Sequence, residues 1–324
     1  MTPDNRDSNR LVSVVIPCRN EANQIRSTVE AVLGQARPGV EVEVIVVDDG
    51  SEDSTAAIAA DAGAVVVSLE APDNGNPGRA RNRGADQTHG DPIAFVDADC
   101  TVTPQWLDFL LQAHDAGATV VGGSLALPAG LPFTARCDYY CGCYLVHPGG
   151  SAGTVPHHPP PNLSVRRDPF MRSSRFSETL PLALTNEERR WQAELREAGH
   201  SIYFEPRAIA YHTNRPGFEN LLRRDFRWGY SAIESKSNTG SARMAWLYRF
   251  PALAVAASFP LSLAHTVFII GCWLRSGKLE PLIMTPMILL SRFAYAAGMT
   301  LGGYRWLRRG KDGGSRRSTT RVPW

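Results

Sequence analysis

Asp97 and Asp99 are two carboxylates two residues apart, and they follow directly on the apolar run Pro92–Val96. On a tight turn such a pair can reach a hard divalent cation, which takes one or two protein carboxylates and fills its other sites with water and phosphate oxygens. Acidic turns after strands are common, so the spacing alone carries little. Further carboxylates stand in similar places: Glu21 comes soon after the run Leu11–Pro17, and Asp48 and Asp49 close Val42–Val47. Glu21 and Asp49 also lie near helix starts, where acids act as caps. Glu187 and Glu188 open a charged segment that Ala198–Gly199 closes, and His212 ends the run Ile209–Tyr211.

These groups need a scaffold. Leu11–Pro17, Val42–Val47, Ala64–Leu69 and Pro92–Val96 are short β-branched apolar runs, which predict buried strands. Between the first two, Ile25, Val29, Val32 and Leu33 have helical spacing within 21–35. The alanine-rich stretch 55–62 follows Ser51, Asp53 and Ser54, whose oxygens suit a helix start. Strand alternating with helix predicts an α/β fold with a mostly parallel sheet, and in open α/β sheets ligands bind beyond the carboxyl ends of the strands. Residues 19–21, 48–49 and 97–99 are then expected along one edge. Residues 125–167 predict a long functional loop with embedded strands, 186–198 a helix, and 201–204 and 209–211 two short strands.

The 324 residues carry 34 Lys+Arg against 32 Asp+Glu, a net charge of +2, and are 43% hydrophobic. This excludes global disorder and a general nucleic-acid binder. Cys137, Cys141 and Cys143 lack the second pair a zinc site needs and are read as small buried hydrophobes. The absence of a GxGxxG after the first strand argues against a dinucleotide dehydrogenase.

The tail has a different character. Residues 250–274 hold no formal charge and are long enough to cross a hydrocarbon core of about 30 Å. Residues 281–304 form a second apolar stretch, interrupted by Arg292. The pair predicts a helical hairpin in membrane lipid, shallow or re-entrant because of Arg292, or else a soluble hairpin packed on the domain. Arg305, Arg308, Arg309, Lys311, Arg316, Arg317 and Arg321 follow, and the positive-inside rule keeps them cytoplasmic. The expected organisation is a flexible N-terminus (1–10), a catalytic domain (11–215), an amphipathic interfacial region (216–244), the hairpin (245–304) and a basic cytoplasmic tail (305–324).

Taken in order, VVIPCRNE at 14–21, VVDDGSEDST at 46–55, GRARNRG at 78–84 and DADC at 97–100 resemble the family 2 glycosyltransferases of the GT-A fold. The resemblance covers roughly residues 11–212. It implies that Pro17 and Glu21 line a nucleotide pocket and that Asp49, or its neighbour Asp48, contacts the base. It also implies that Arg81 and Asn82 lie against the nucleotide, that Asp97 lies near the ribose or the metal, and that Asp99 holds the metal. His212 stands at the family's customary histidine, near the diphosphate or metal. The family's catalytic base is the Asp of a Glu-Asp pair. Glu187 and Glu188 occupy those positions here, which makes Glu188 the implied base and Glu187 the alternative. Asn162 matches a segment near the acceptor. Arg224, Arg227 and Trp228 resemble the QxxRW motif of processive polysaccharide synthases with Arg in place of Gln; the arginine fork suits phosphate and the indole suits a sugar face. The same stretch also reads as an interfacial helix with Phe218, Leu221, Leu222 and Phe226 on its apolar side.

The resemblance thus implies an inverting enzyme of the hexosyltransferase type that works at the cytoplasmic face of the membrane with Mg²⁺ or Mn²⁺. It would move a sugar from a nucleotide-diphospho-sugar to a hydroxyl acceptor, a lipid-linked one fitting the hairpin. The alternatives are a processive polysaccharide synthase and a non-catalytic nucleotide-sugar-binding subunit.

Overall fold

A computed structural model describes residues 9–71, 75–179, 186–237, 245–248 and 250–311. Most of the expected N-terminal segment and basic tail, and part of the 216–244 region, lie outside the described residues. The chain opens with β1 (Arg10–Cys18), α1 (Ile25–Leu33), β2 (Val40–Asp48), α2 (Thr55–Asp61), β3 (Val65–Ser68), α3 (Pro77–Asp86) and β4 (Ile93–Val96). The four strands lie in the order β3-β2-β1-β4, all parallel, with Val14 opposite both Val44 and Ala94. Their apolar runs are continuous because both faces are covered. Val14, Ile16, Val44 and Val46 point into one buried cluster, and Val15, Ile45, Val47 and Phe95 into the other. Cys18 pairs with Asp48 and Asp48 with Ser68, so the carboxyl ends of three strands are level.

Beyond β4 come β5 (Cys100–Val102), α4 (Trp106–Asp115), β6 (Val120–Ala126), α5 (Phe133–Gly142), β7 (Gly153–Thr154), β8 (Asn162–Val165), α6 (Arg167–Arg172), α7 (Arg189–Glu197) and β9 (Ile202–His212). The complete order is β3-β2-β1-β4-β8-β6-β9-β5, with β7 beside β9. The parallel expectation holds for the first four strands and for β6 with β9, but the whole sheet is mixed. β8 inserts antiparallel to both β4 and β6, a pairing that needs no crossover helix. The two short strands expected near 201–211 are one strand, bent where its register slips opposite Gly123/Ser124. The carbonyls freed at that bulge are capped: Ser124 Oγ donates to Pro206 O (2.8 Å) and Asn162 Nδ2 to Ala208 O (2.9 Å). Asn162 also accepts from the Trp106 indole at 2.8 Å and is fully buried. It is a core staple, paired with Val96 at the end of β4. The expected loop 125–167 contains α5, whose Tyr139 and Tyr140 are buried.

Five further helices follow: α8 (Phe218–Ser237), α9 (Ala245–Tyr248), α10 (Pro251–Arg275), α11 (Glu280–Ile283) and α12 (Thr285–Lys311). α8 and α12 cross at Gly229, Gly298 and Gly302, where an added methyl would strike a backbone carbonyl of the facing helix. α10 is built inside out. Its buried positions include Ala254, Ser258, Ser262, Thr266, Ile269 and Trp273, spaced three or four apart, while Leu253, Phe259, Leu263 and Val267 are exposed. Among the described residues α10 alone is long and apolar enough to cross a membrane, with mean hydropathy 1.9. Arg292 does not face outward. It is buried against Asp225, Nη2 to Oδ2 2.5 Å. The turn between α10 and α12 is seated on α5: Trp273 Nε1 donates to Tyr140 O (2.9 Å) and Tyr140 Oη to Glu280 (2.8 Å).

Candidate active site

The level strand ends place the predicted carboxylates along one edge. Asp48 accepts from the Ser51 N–H at 3.0 Å, and Asp49 accepts from the Gly75 N–H at 2.7 Å. Burial raises the Asp49 carboxyl above its ordinary range despite that bond. Glu21 is half-buried, and its side chain does not cap α1. It reaches Arg215 instead (Oε1 to Nη2 2.6 Å), while its backbone N–H donates to Thr55 Oγ1 at 2.8 Å. Burial and the nearby Asp99 hold Glu21 above the usual glutamate range. Pro17 lies beside Val47 at the end of the β1–β2 pair.

Asp99 sits in the turn between β4 and β5. The antiparallel pairing of Cys100 with His212 brings the imidazole over the turn, with His212 Nε2 3.5 Å from Asp99 Oδ1. Ligand atoms of Asp99, Cys100 and His212 lie within 4.8 Å of one another. Burial drives the Cys100 thiol far up, which leaves a protonated, poor ligand. A carboxylate and an imidazole remain, a donor set that fits Mg²⁺ or Mn²⁺ with open positions for phosphate oxygens. Asp97 is held from the other side. Its Oδ1 accepts from Arg81 Nη2 at 2.6 Å, and it is not among the clustered donors.

Arg81 is the hub of the next layer. It is buried at 4% exposure; its other terminal nitrogen holds Glu187 at 2.7 Å, and its Nε has no hydrogen-bond partner. Burial pushes Glu187 up to about 7 against the pull of Arg81. A carboxylate clamped this way is poorly placed to take a proton from a substrate. Glu188 is also buried, occupies the N-cap position of α7 and makes no capping bond. It faces His157 instead, Nε2 to Oε1 3.7 Å. Burial raises Glu188 above the ordinary glutamate range and holds His157 well below the ordinary histidine range, so the imidazole is neutral beside it. The segment carrying both glutamates is pinned by edge-to-face aromatics: Phe95 lies 4.9 Å from Phe176, and Phe170 lies 5.2 Å from Trp191.

Asn82, Arg224, Arg227 and Trp228 are the other predicted binding residues. Asn82 spends its amide on the protein, donating to Phe176 O (2.9 Å) and Glu178 (2.8 Å) and accepting from the Phe176 N–H (3.1 Å). It shapes the loop after α6, with both amide hydrogens committed to the protein. The Arg224 fork is likewise occupied, between Asp138 (2.5 Å) and Asp225 (3.2 Å). It also lies over the Trp228 ring, 4.5 Å from the centroid, and so covers one face of the indole. Arg227 is half-buried on the same helix.

Sequence reasoning assigned His157 to the loop and passed over Arg215, Asp138 and Asn214. Asn214 had a signal, since it stands two residues beyond His212. The other three are brought in by tertiary pairing alone.

The family model described as Glycosyl transferase family 2 matches residues 13–167. The chain is 32% identical over 232 residues to Glycosyltransferase AglE of Haloferax volcanii, spanning 69% of this chain and 73% of that protein. It is 28% identical over 268 residues to the pre-mycofactocin glycosyltransferase of Mycobacterium tuberculosis, covering 76% of this chain and 54% of that one. Among solved structures, S. aureus TarS 1-349 in complex with UDP-GlcNAc superposes with a TM-score of 0.52 over 92% of each chain at 18% identity, a likeness of fold. With its ordered motifs gathered at the carboxyl edge of a mixed α/β sheet of the GT-A type, this chain belongs to glycosyl transferase family 2 and is a glycosyltransferase.

Proposed function

We propose that the protein is a membrane-associated, cation-dependent, inverting glycosyltransferase that moves a sugar from a nucleotide-diphospho-sugar to a hydroxyl acceptor. The observation that carries this reading is the pairing of Asp99 with His212 (3.5 Å) in the turn after β4, with the neighbouring Asp97 tied through Arg81 to Glu187 of the glutamate pair. Asp99 and His212 would hold a divalent cation, which when bound offsets the charge building on the leaving diphosphate. Asp49, Glu21 and Pro17 form the base side of the donor pocket. Arg81 keeps Asp97 and Glu187 in place beneath it. Glu188 takes the acceptor hydroxyl proton as that oxygen bonds to the anomeric carbon and the bond to the diphosphate oxygen breaks. One displacement with no covalent enzyme intermediate inverts the anomeric centre.

Purified full chain screened against UDP-, GDP- and dTDP-sugars, with Mn²⁺ or with EDTA, tests this reading. Release of nucleoside diphosphate that needs both acceptor and cation is the expected result. Equal release in EDTA would remove the cation from the account.

The exposed apolar face of α10 supports a seat in lipid, and a lipid-linked acceptor suits that seat. Buried small polar residues beneath an outer face of Leu253, Phe259, Leu263 and Val267 reverse the pattern of a water-soluble helix. The full chain is expected to float with anionic vesicles, and Leu263→Glu with Val267→Glu to stay at the bottom of the gradient. Flotation of that double variant at the parental level would place the lipid contact elsewhere.

A further inference from the structure

A continuous run of polar contacts leads from the strand tip to the hairpin. His212 Nδ1 lies 3.0 Å from Asn214 Oδ1. Asn214 Nδ2 donates to Asp138 Oδ2 at 2.5 Å, and Asp138 Oδ1 meets Arg224 Nη1 at 2.5 Å. Arg224 Nη2 donates to Asp225 Oδ1 at 3.2 Å, and Asp225 Oδ2 accepts from Arg292 Nη2 at 2.5 Å and from the Ser291 hydroxyl. Asn214, Asp225 and Arg292 are each 3% exposed or less.

The chemistry of this run has a direction. Asp138 is held by arginine and, as a carboxylate, can only accept, so the Asn214 amide must turn its NH₂ toward it. The Asn214 oxygen then faces His212 and can only accept from Nδ1–H. Nδ1 therefore carries the hydrogen, and in the neutral ring Nε2 keeps its lone pair, aimed at Asp99. Beyond Asp138 the charges alternate as Arg224, Asp225 and Arg292, two cations and two anions in all, each dependent on its neighbours for compensation.

We propose that Asp138 and Asn214 are positioning residues that fix the His212 tautomer for the cation, and that Arg224, Asp225 and Arg292 make cation affinity depend on how α12 is seated. The proposal rests on the assignment of His212 to the cation site. It also accounts for Arg224 and Trp228: the motif that resembles a substrate-binding element is a strut between the site and the hairpin.

The test is Mn²⁺ binding to the full chain, read from the free-ion EPR signal with the metal alone. His212→Ala is expected to weaken binding, and Asn214→Leu to weaken it by about 10–100-fold. Arg292→Lys, which keeps the charge and shortens the reach, is expected to weaken it about threefold or more. If His212→Ala binds like the parent, the cation-site reading itself fails. If His212→Ala weakens binding but Asn214→Leu does not, the positioning role is overturned, and parental affinity in Arg292→Lys overturns the link to α12. A readout that needs no variant is ¹⁵N NMR of the parent at alkaline pH. Protonated Nδ1 and bare Nε2 are expected at His212, and the opposite tautomer would overturn the proposal even if Asn214→Leu failed to fold.

Discussion

Alanine at Asp99 is expected to abolish sugar transfer and, with it, cation-dependent binding of nucleotide. The side chain lies 3.5 Å from His212 at the tip of the strand turn, and its loss leaves one imidazole as the remaining ligand of the proposed pair. If the cation supplies several kcal/mol to the departing diphosphate, the loss in kcat/KM is about 10³-fold or more. A stability measurement separates this effect from simple unfolding. Burial, followed by the nearness of Asp97, holds the Asp99 carboxyl above its ordinary 3.8 in spite of His212. For a group raised in the folded state, the favourable contribution is complete below 3.8 and is lost as pH rises through the folded value. Without metal at neutral pH, Asp99→Ala should therefore melt no lower than the parent. With Mn²⁺ the parent should rise in Tm by mass action while the variant stays still. A variant that turned over at parental rates would end the metal role of Asp99.

The parts of this protein that were legible in the sequence are those built from local pattern. Val12, Val14 and Ile16 alternate with Ser13 and Val15 into two buried layers, and such runs of β-branched residues ending in acids mark both the strands and their functional edge. Asp48, Asp49, Asp97 and Asp99 followed from that pattern with no further information. The pairing of β8 between β4 and β6 did not follow, because a four-residue strand carries no mark of its direction. Partnership was equally hidden. Nothing in GRARN distinguishes Arg81, which joins Asp97 and Glu187, from Asn82, which is consumed by the Phe176 backbone and Glu178. Arg292 illustrates the same point from the other side. Its charge within an apolar stretch predicted a shallow hairpin, whereas Asp225, 67 residues away in sequence, compensates it inside the helix bundle. Charge in a sequence shows what must be satisfied, and only the fold shows by what.

Glutamine at Glu188 is the sharper test of mechanism, because it changes little except the capacity to take a proton. Both glutamates of the pair are buried, but their surroundings differ: Glu187 is clamped by Arg81 at 2.7 Å, whereas Glu188 faces a neutral His157 at 3.7 Å. Glu188→Gln should bind donor as the parent does and lose about 10²–10⁴-fold in kcat, the range of a removed general base. Glu187→Gln should act differently. It leaves Arg81 short of a counter-charge, so its first effect is on stability and on the placement of Asp97. Glu188→Asp, which restores the residue implied by the family pattern, should retain measurable transfer with a longer reach to the acceptor. The pH profile adds a signed check. A base must be ionised, and burial holds Glu188 above an ordinary glutamate's 4.5, so the acid limb of kcat should lie above that value. That limb should be lost in Glu188→Gln. Parental kcat in Glu188→Gln, or an acid limb that stayed in place without the carboxylate, would move the base to another residue, and Glu187 would have to release Arg81 to serve.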